Sequence, residues 1–181
     1  FNAGRLKVGA HYTEVLPVDR IFAEYTPTPW GWIPYFLPEF DEYYRELIAP
    51  TREMIALLKV HDVSISGAWC HYPTFQHFRN VIKDFGIGET DFIGYWKNPI
   101  SHTNPEIKIS VYKHIKEKKI LLFVSNLTDK VQETQISIDK EKIGFSPTEF
   151  TDIENDFPLI LNDNKLEVLV NSFDYRIIKI K

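Results

Sequence analysis

The chain has one cysteine, Cys70, and one methionine, Met54. A lone thiol excludes an internal disulfide framework and any CxxC metal site. No stretch approaches eighteen consecutive apolar residues, and no charged segment followed by an apolar one opens the sequence. Neither a membrane-spanning helix nor a signal peptide is therefore visible in it. Basic charge is also in short supply. The formal net charge is −4, whereas a nucleic-acid-binding protein needs a basic face that releases counterions from phosphate. The one basic run, "YKHIKEKK" at 112–119, reads as a solvated hairpin connection. His61, His77, His102 and His114 are too scattered to suggest a metal site by spacing, and no cofactor is expected. Because residue 1 is Phe and the sole methionine is at position 54, the chain is expected to be part of a longer polypeptide.

What is present is a globular composition. With 181 residues, 44% of them hydrophobic, the chain can bury a packed core. Aromatic residues make up 14%, and all four tryptophans fall before residue 100, the first sign of two unlike halves. In the first half "RIFAEY" at 20–25 reads as a short strand ending at Glu24, broken by the prolines of "TPTPWGWIP". Residues 40–59 carry apolar groups at helical spacing, with Pro50 splitting or bending the helix. "VSISGAW" is the next strand, and "PTFQHFRNVIKDFG" the next helix, opened by Pro73 and Thr74 and stopped by Gly86. Strands alternating with helices point to α/β architecture with parallel strands.

After "NPISHTNPEI" at 98–107 the texture changes. "IKISVYKHI", "KILLFVSNL", "VQETQISID", "KLEVLVN" and "YRIIKIK" are short alternating segments, separated by turns such as "LTDK" and "NDNK". Such spacing suggests an antiparallel β-sandwich. The expected organisation is residues 1–103 as an α/β unit and residues 104–181 as the sandwich. The sandwich, with its complete set of strands, is expected to be the more autonomous half. The first unit offers at most about three or four strands, too few for a complete domain. It is best read as the incomplete end of a (β/α)8 barrel. In such a barrel the functional residues stand at the carboxyl ends of strands, here Glu24 to Trp32 and Trp69 to Tyr72.

At this point the sequence resembles a known group. A strand with small residues and Trp, a helix, "FGIGETDFIGYW", "IKISVYKHIKEKKILLFVSNLTDK" and a closing "NSFDYRIIKIK" are similar to the C-terminal part of bacterial TIM-barrel glycoside hydrolases. These are frequent in gut Bacteroidetes and related in outline to glycoside hydrolase family 123. The matching positions are Phe85, Gly86, Ile87 and Gly88, then Phe92, Tyr95 and Trp96 in the linker. In the sandwich they are Tyr112, Val124 to Thr128, and Asp174, Tyr175 and Arg176. The resemblance implies a barrel followed by a β-sandwich, a carbohydrate substrate, cleavage of glycosidic bonds by carboxylate acid/base chemistry, and a periplasmic or extracellular setting. It also implies that the key carboxylates lie largely upstream. The alternative is a non-catalytic module, sugar-binding or structural, in which the helical half merely caps the sandwich. The sequence carries no signal for oligomeric state.

Candidate residues follow from this picture. Glu24, at the end of the expected strand, could protonate a glycosidic oxygen; the plainer reading, a polar strand end before a proline loop, is preferred. Trp30 and Trp32 flank Gly31, and their indoles could stack on the C–H face of a sugar or pack beneath the loop; both readings stand. Trp69 and His71, two apart, share a face of their strand. Trp69 could form a pocket wall and His71 could bind a hydroxyl, against the plain alternative of a structural histidine. Cys70 reads as a small buried hydrophobe, and a Cys–His nucleophile pair is rejected for want of an orienting acid. "NLT" at 126–128 fits a glycosylation acceptor, yet a turn after a strand explains it fully. Asp174 and Arg176 are expected to pair with each other.

Overall fold

The computed structural model describes residues 11–26, 35–38 and 45–181. Two parallel strands, β1 (Tyr35–Phe36) and β2 (Ser64–Ile65), are joined through helix α3 (Ile48–Lys59) into a β–α–β unit. Helix α4 (Tyr72–Phe85) follows, with Pro73 in its first turn and Gly86 at φ 87° as its left-handed cap. Pro50 does not interrupt α3. It occupies the first turn, where its missing N–H has no helical partner to lose.

One expected strand is a helix instead. "RIFAEY" lies within α2 (Val18–Tyr25), which follows the single turn α1 (Tyr12–Val15). Val18, Ile21, Phe22 and Tyr25 recur at i, i+3, i+4 and i+7, and Ile21 is fully buried. That spacing makes one apolar face of a helix, and the run from residue 20 alone hides it. "VSISGAW" is likewise shorter than expected, since only Ser64 and Ile65 pair before the chain turns.

The sandwich is built from β3 (Thr90–Ile93), β4 (Ser101–His102), β5 (Ile107–His114), β6 (Ile120–Asn126), β7 (Gln132–Ser137), a short helix α5 (Lys140–Ile143), β8 (Phe150–Asp152), β9 (Phe157–Pro158), β10 (Leu161–Asn162), β11 (Lys165–Val170) and β12 (Asp174–Ile180). Two of its strands, β3 and β4, precede residue 104. The larger sheet has the order β3-β5-β6-β12-β8-β9 and the smaller β10-β11-β7-β4, with every pair antiparallel. Asp163 and Asn164, both at positive φ, form the two-residue turn between β10 and β11.

The layers explain the texture of each strand. The small sheet has one wet face, so β11, "KLEVLV", alternates strictly between exposed and buried. The large sheet is covered on both faces, and β6, "ILLFVSN", is buried at every position. Its Ile120, Leu122 and Val124 face the small sheet with Ile136, Leu166 and Val168. Its Leu121 and Phe123 face the helices, in one core with Met54, Ile55, Leu58 and Phe78. Among the described residues no helix is long and apolar enough to cross a membrane.

The helix layer is also hydrogen-bonded to the large sheet. The carbonyls in the last turn of a helix lack intrahelical donors; at the end of α3 they find them in the sheet and the following turn. Ser125 Oγ donates to Ala56 O (2.7 Å), Tyr112 OH to Lys59 O (2.8 Å) and Ser110 Oγ to Val60 O (2.6 Å). His61 Nδ1 reaches Leu57 O at 2.7 Å, and the Val63 amide donates to Leu58 O at 3.0 Å. Helices and sheet thus share both an apolar core and a polar seam.

Candidate functional site

The carboxyl ends of β1 and β2 lie at the amino end of α3, as in any β–α–β unit. Past Ile65 the Ser66 amide still donates to Phe36 O at 2.9 Å. At Gly67 the backbone runs against the Phe75 ring, where any Cβ would overlap ring carbons. The chain then turns sharply, and Trp69 takes the left-handed conformation at φ 69° with half its surface exposed. A non-glycine residue there costs about 1–2 kcal/mol. The Arg45 guanidinium lies over the indole, 3.9 Å from the ring centroid. Leu37, Ile48 and Tyr72 are also exposed at this end. The result is an open rim with an aromatic face and a cation, suited to a ligand that offers C–H faces and polar groups together.

His71 belongs to the same rim but is held inward. Its amide donates to Thr51 Oγ1 at 2.9 Å, and its Nδ1 lies 2.8 Å from Thr74 Oγ1, so it ties α3 to the start of α4. Cys70 is buried between them, and burial pushes its thiol up to about 11. A thiol so far from ionisation is no nucleophile.

Glu24 is placed elsewhere. It sits in the last turn of α2, where Arg20 Nε donates to its Oε1 at 2.8 Å in an exposed i,i+4 pair. Phe22 of the same helix packs on Trp96 (5.0 Å between centroids), and Trp96 stacks on His61, just past the carboxyl end of α3. Trp69 and His71 lie at the other end of α3, whose twelve residues span about 18 Å. The structure therefore brings Trp69 and His71 together and not Glu24. Trp30 and Trp32 lie outside the described residues.

Three arrangements escape sequence reasoning. Arg45 over Trp69 is one, because nothing in a linear pattern sets a cation on a particular ring. The second is Arg52 of α3, whose Nη1 and Nη2 donate to Glu154 (2.7 and 3.0 Å), whose Nε donates to Asp174 Oδ1 (2.6 Å), and whose plane covers the Tyr175 ring at 4.2 Å. Burial opposes the Arg52 charge more than any one partner favours it, but the Glu154 hydrogen bonds together with the Coulombic attraction of Tyr175, Glu154 and Asp174 hold the pKa above its ordinary value. Asp174 and Arg176 consequently do not pair with each other. Arg176 bonds Asp152 at 3.1 Å, because each group meets an opposite charge on another element at closer reach. The third is Asn126, fully buried with its Nδ2 donating to the carbonyls of Lys130 (2.7 Å), Val170 (3.2 Å) and Asn171 (2.8 Å). An amide so engaged is a turn-holder and not a glycan acceptor.

Among solved structures the fold is similar to the noncanonic maltogenic α-amylase AmyB from Thermotoga neapolitana. The likeness has 11% identity and a TM-score of 0.53, and covers 90% of this chain and 45% of that one. Weaker likenesses reach a GH27 β-L-arabinopyranosidase from Geobacillus stearothermophilus (10% identity, TM-score 0.47, 72% of this chain and 30% of that one) and an Anoxybacillus α-amylase (11%, 0.42, 70% and 32%). The chain spans less than half the length of each. No curated protein matches it in sequence. Residues 76–157, from α4 to β9, match the family described as "Glycoside hydrolase 123, C-terminal domain". Residues 76–157 thus resemble the C-terminal domain of a glycoside hydrolase family, and the amylase shares the fold.

Proposed function

We propose that this chain is the C-terminal part of a carbohydrate-active hydrolase that cleaves glycosidic bonds. In this reading β1, α3, β2 and α4 end a (β/α)8 barrel, and the sandwich, counted from Thr90, braces it. The carboxylates that act as acid and base or nucleophile come from elsewhere in the polypeptide, and these residues supply one wall of the pocket. Trp69 carries the reading: an exposed indole held in an unfavourable backbone conformation at the carboxyl end of a parallel strand is better explained by a ligand than by packing. His71 positions that loop, and the Arg45 guanidinium covers one face of the ring. Trp30 and Trp32, which precede β1 in the sequence, are further candidates for the same wall.

The test is Trp69→Ala in the complete protein, assayed for cleavage of glycosides. The expected result is a fall in kcat/KM of roughly tenfold or more with the unfolding midpoint unchanged, because an exposed residue gives up ligand contact and not core. Unchanged kinetics on every cleaved glycoside would remove Trp69 from the pocket.

A further inference from the structure

The basic run at 112–119 does not stand alone in the fold. Its hairpin tip, between β5 and β6, is seated on the end of α4. Phe85 meets the His114 ring edge-on, with 6.3 Å between centroids. Gly86 lies so close to that ring that a Cβ there would stand 3.2 Å from Nε2. The Ile115 amide donates to Glu89 O at 2.9 Å, and Lys116 Nζ donates to Glu89 Oε2 at 3.0 Å. The two segments so joined, 79–89 and 113–119, carry six lysines and arginines against three carboxylates, in a chain of net charge −4. A lysine-rich run marks a polyanion-binding patch when the fold gathers its charge in one place, as here.

Beside the hairpin, α4 borders an open hollow of about 380 Å³. Gln76, Asn80 and Lys83 recur at i, i+4 and i+7, so they form one stripe of the helix, on the far side from the buried Phe75, Phe78 and Phe85. Arg79 stands next to that stripe, and all four side chains line the hollow together with Ile82 and Ile87. An exposed helix face ordinarily sets a carboxylate three or four places from each cation. None stands at 75, 76, 82 or 83 around Arg79, or at 79, 80, 86 or 87 around Lys83, and the two cations repel each other at i,i+4. Among the described residues no ion pair answers either cation, and no protein group hydrogen-bonds the side chain of Gln76 or Asn80.

We propose that this hollow and the adjoining hairpin tip form an accessory binding site for an acidic glycan, a chain whose sugars bear sulfate or carboxylate groups. Arg79 and Lys83 take the anionic groups, and the amides of Gln76 and Asn80 take hydroxyls. Ile82 and Ile87 give an aliphatic floor for C–H faces, and the exposed Lys118 at the tip extends the basic track. The concave shape does not suit a flat bilayer. No aromatic ring lines the hollow, so nucleic-acid bases find nothing there to stack on. That the polyanion is a glycan rests on the reading of this chain as carbohydrate-active; that the site takes an anion does not. The site stands apart from the Trp69 rim, which lies at the first turn of α4, whereas Gly86 and Gly88 lie beyond its last; the fourteen residues between span about 21 Å. A polymer held here is tethered and not cut.

Titration calorimetry on the 181-residue chain tests the site by binding alone. The probes are a sulfated heparin oligosaccharide and a carboxylated oligogalacturonate, compared with inorganic sulfate, a neutral malto-oligosaccharide, single-stranded DNA and phosphatidylglycerol vesicles. At least one acidic oligosaccharide should bind about tenfold or more tightly than every comparison, and more weakly as salt is raised. Arg79→Gln combined with Lys83→Gln should weaken that binding by about tenfold or more and leave the unfolding midpoint unchanged, since both side chains are exposed. Lys165→Gln, at an exposed lysine of the small sheet, should leave it unchanged. Trp69→Ala should leave it unchanged as well, so failure of the rim and failure of this site are told apart. No binding of either acidic probe would overturn the proposal, and equal weakening by Lys165→Gln would show only diffuse attraction and overturn it too. Sulfate bound as tightly as the oligosaccharides would reduce the site to one for a compact anion, and tighter binding of DNA or vesicles would give the surface to another polyanion; either result overturns the glycan.

Discussion

At the scale of the residue, a partly buried arginine and a buried histidine do most to join the layers. Arg52 spans from α3 to the strand β12 and to Glu154, whose side chain is almost wholly buried. Removing the guanidinium strands that carboxylate beside Tyr175, whose phenol is held well above its ordinary pKa by burial and then by Glu154. Arg52→Ala should therefore lower the unfolding free energy by about 3 kcal/mol or more in urea titrations, and a loss below about 1 kcal/mol would mark the cluster as a solvated one. His61 acts through pH. Buried, with Nδ1 on Leu57 O and Nε2 3.2 Å from Tyr95 OH, it is held down to about 4 by desolvation, against an ordinary 6.5. Between pH 6.5 and 4 the unfolded chain therefore binds a proton that the folded one refuses, so stability falls as pH falls. Above 6.5 both states are neutral and the effect vanishes. The full contribution is roughly 3 kcal/mol, complete below pH 4. His61→Gln should flatten the stability curve by that amount between pH 7 and 4; an unchanged slope would show His61 to be protonated in the fold.

At the scale of the element, α3 is the piece that everything else grips. The carbonyls of Ala56 in its last turn and of Val60 just past it accept from Ser125 and Ser110, both fully buried. Ser110→Ala and Ser125→Ala should each cost about 1–3 kcal/mol by leaving a buried carbonyl unanswered, with the urea dependence unchanged. A neutral result for both would mean that water reaches the helix end. The elements also show what a sequence can reveal. β11 announced its layer by alternation, whereas β6, read as one more alternating segment, is apolar on both faces because helices cover one and the small sheet the other. Pro73 and Gly86 bounded α4 because their backbone limits are local. The helix α2 was hidden because its apolar face begins at Val18, ahead of the run that suggested a strand. Of the candidate rim, Trp69 was legible as an aromatic at a strand end. Arg45 and Arg52 were not, since a long side chain declares its partner only after distant elements have packed. Glu24 looked plausible only while α2 was taken for a strand.

At the scale of the whole molecule, the helices and the sandwich are mutually dependent. Tyr112, Leu121, Phe123, Tyr175 and Ile177 are buried in the core shared with α3 and α4. Residues 104–181 alone would bare that face and lose β3, so the autonomy expected of the sandwich does not fit this packing. Such a fragment should aggregate or bind a hydrophobic dye, whereas residues 45–181 should unfold cooperatively. A monomeric, dye-free 104–181 fragment would show that the face can close over by itself. The position of β12 carries this dependence into synthesis. It lies between β6 and β8 at the middle of the large sheet, pairing seven residues with β6. On the ribosome, then, every earlier strand of that sheet must wait with its central slot empty until Asp174–Ile180 has emerged. Until that moment the growing chain holds an open sheet and a half-covered core, and it is then that a chaperone would find most to hold.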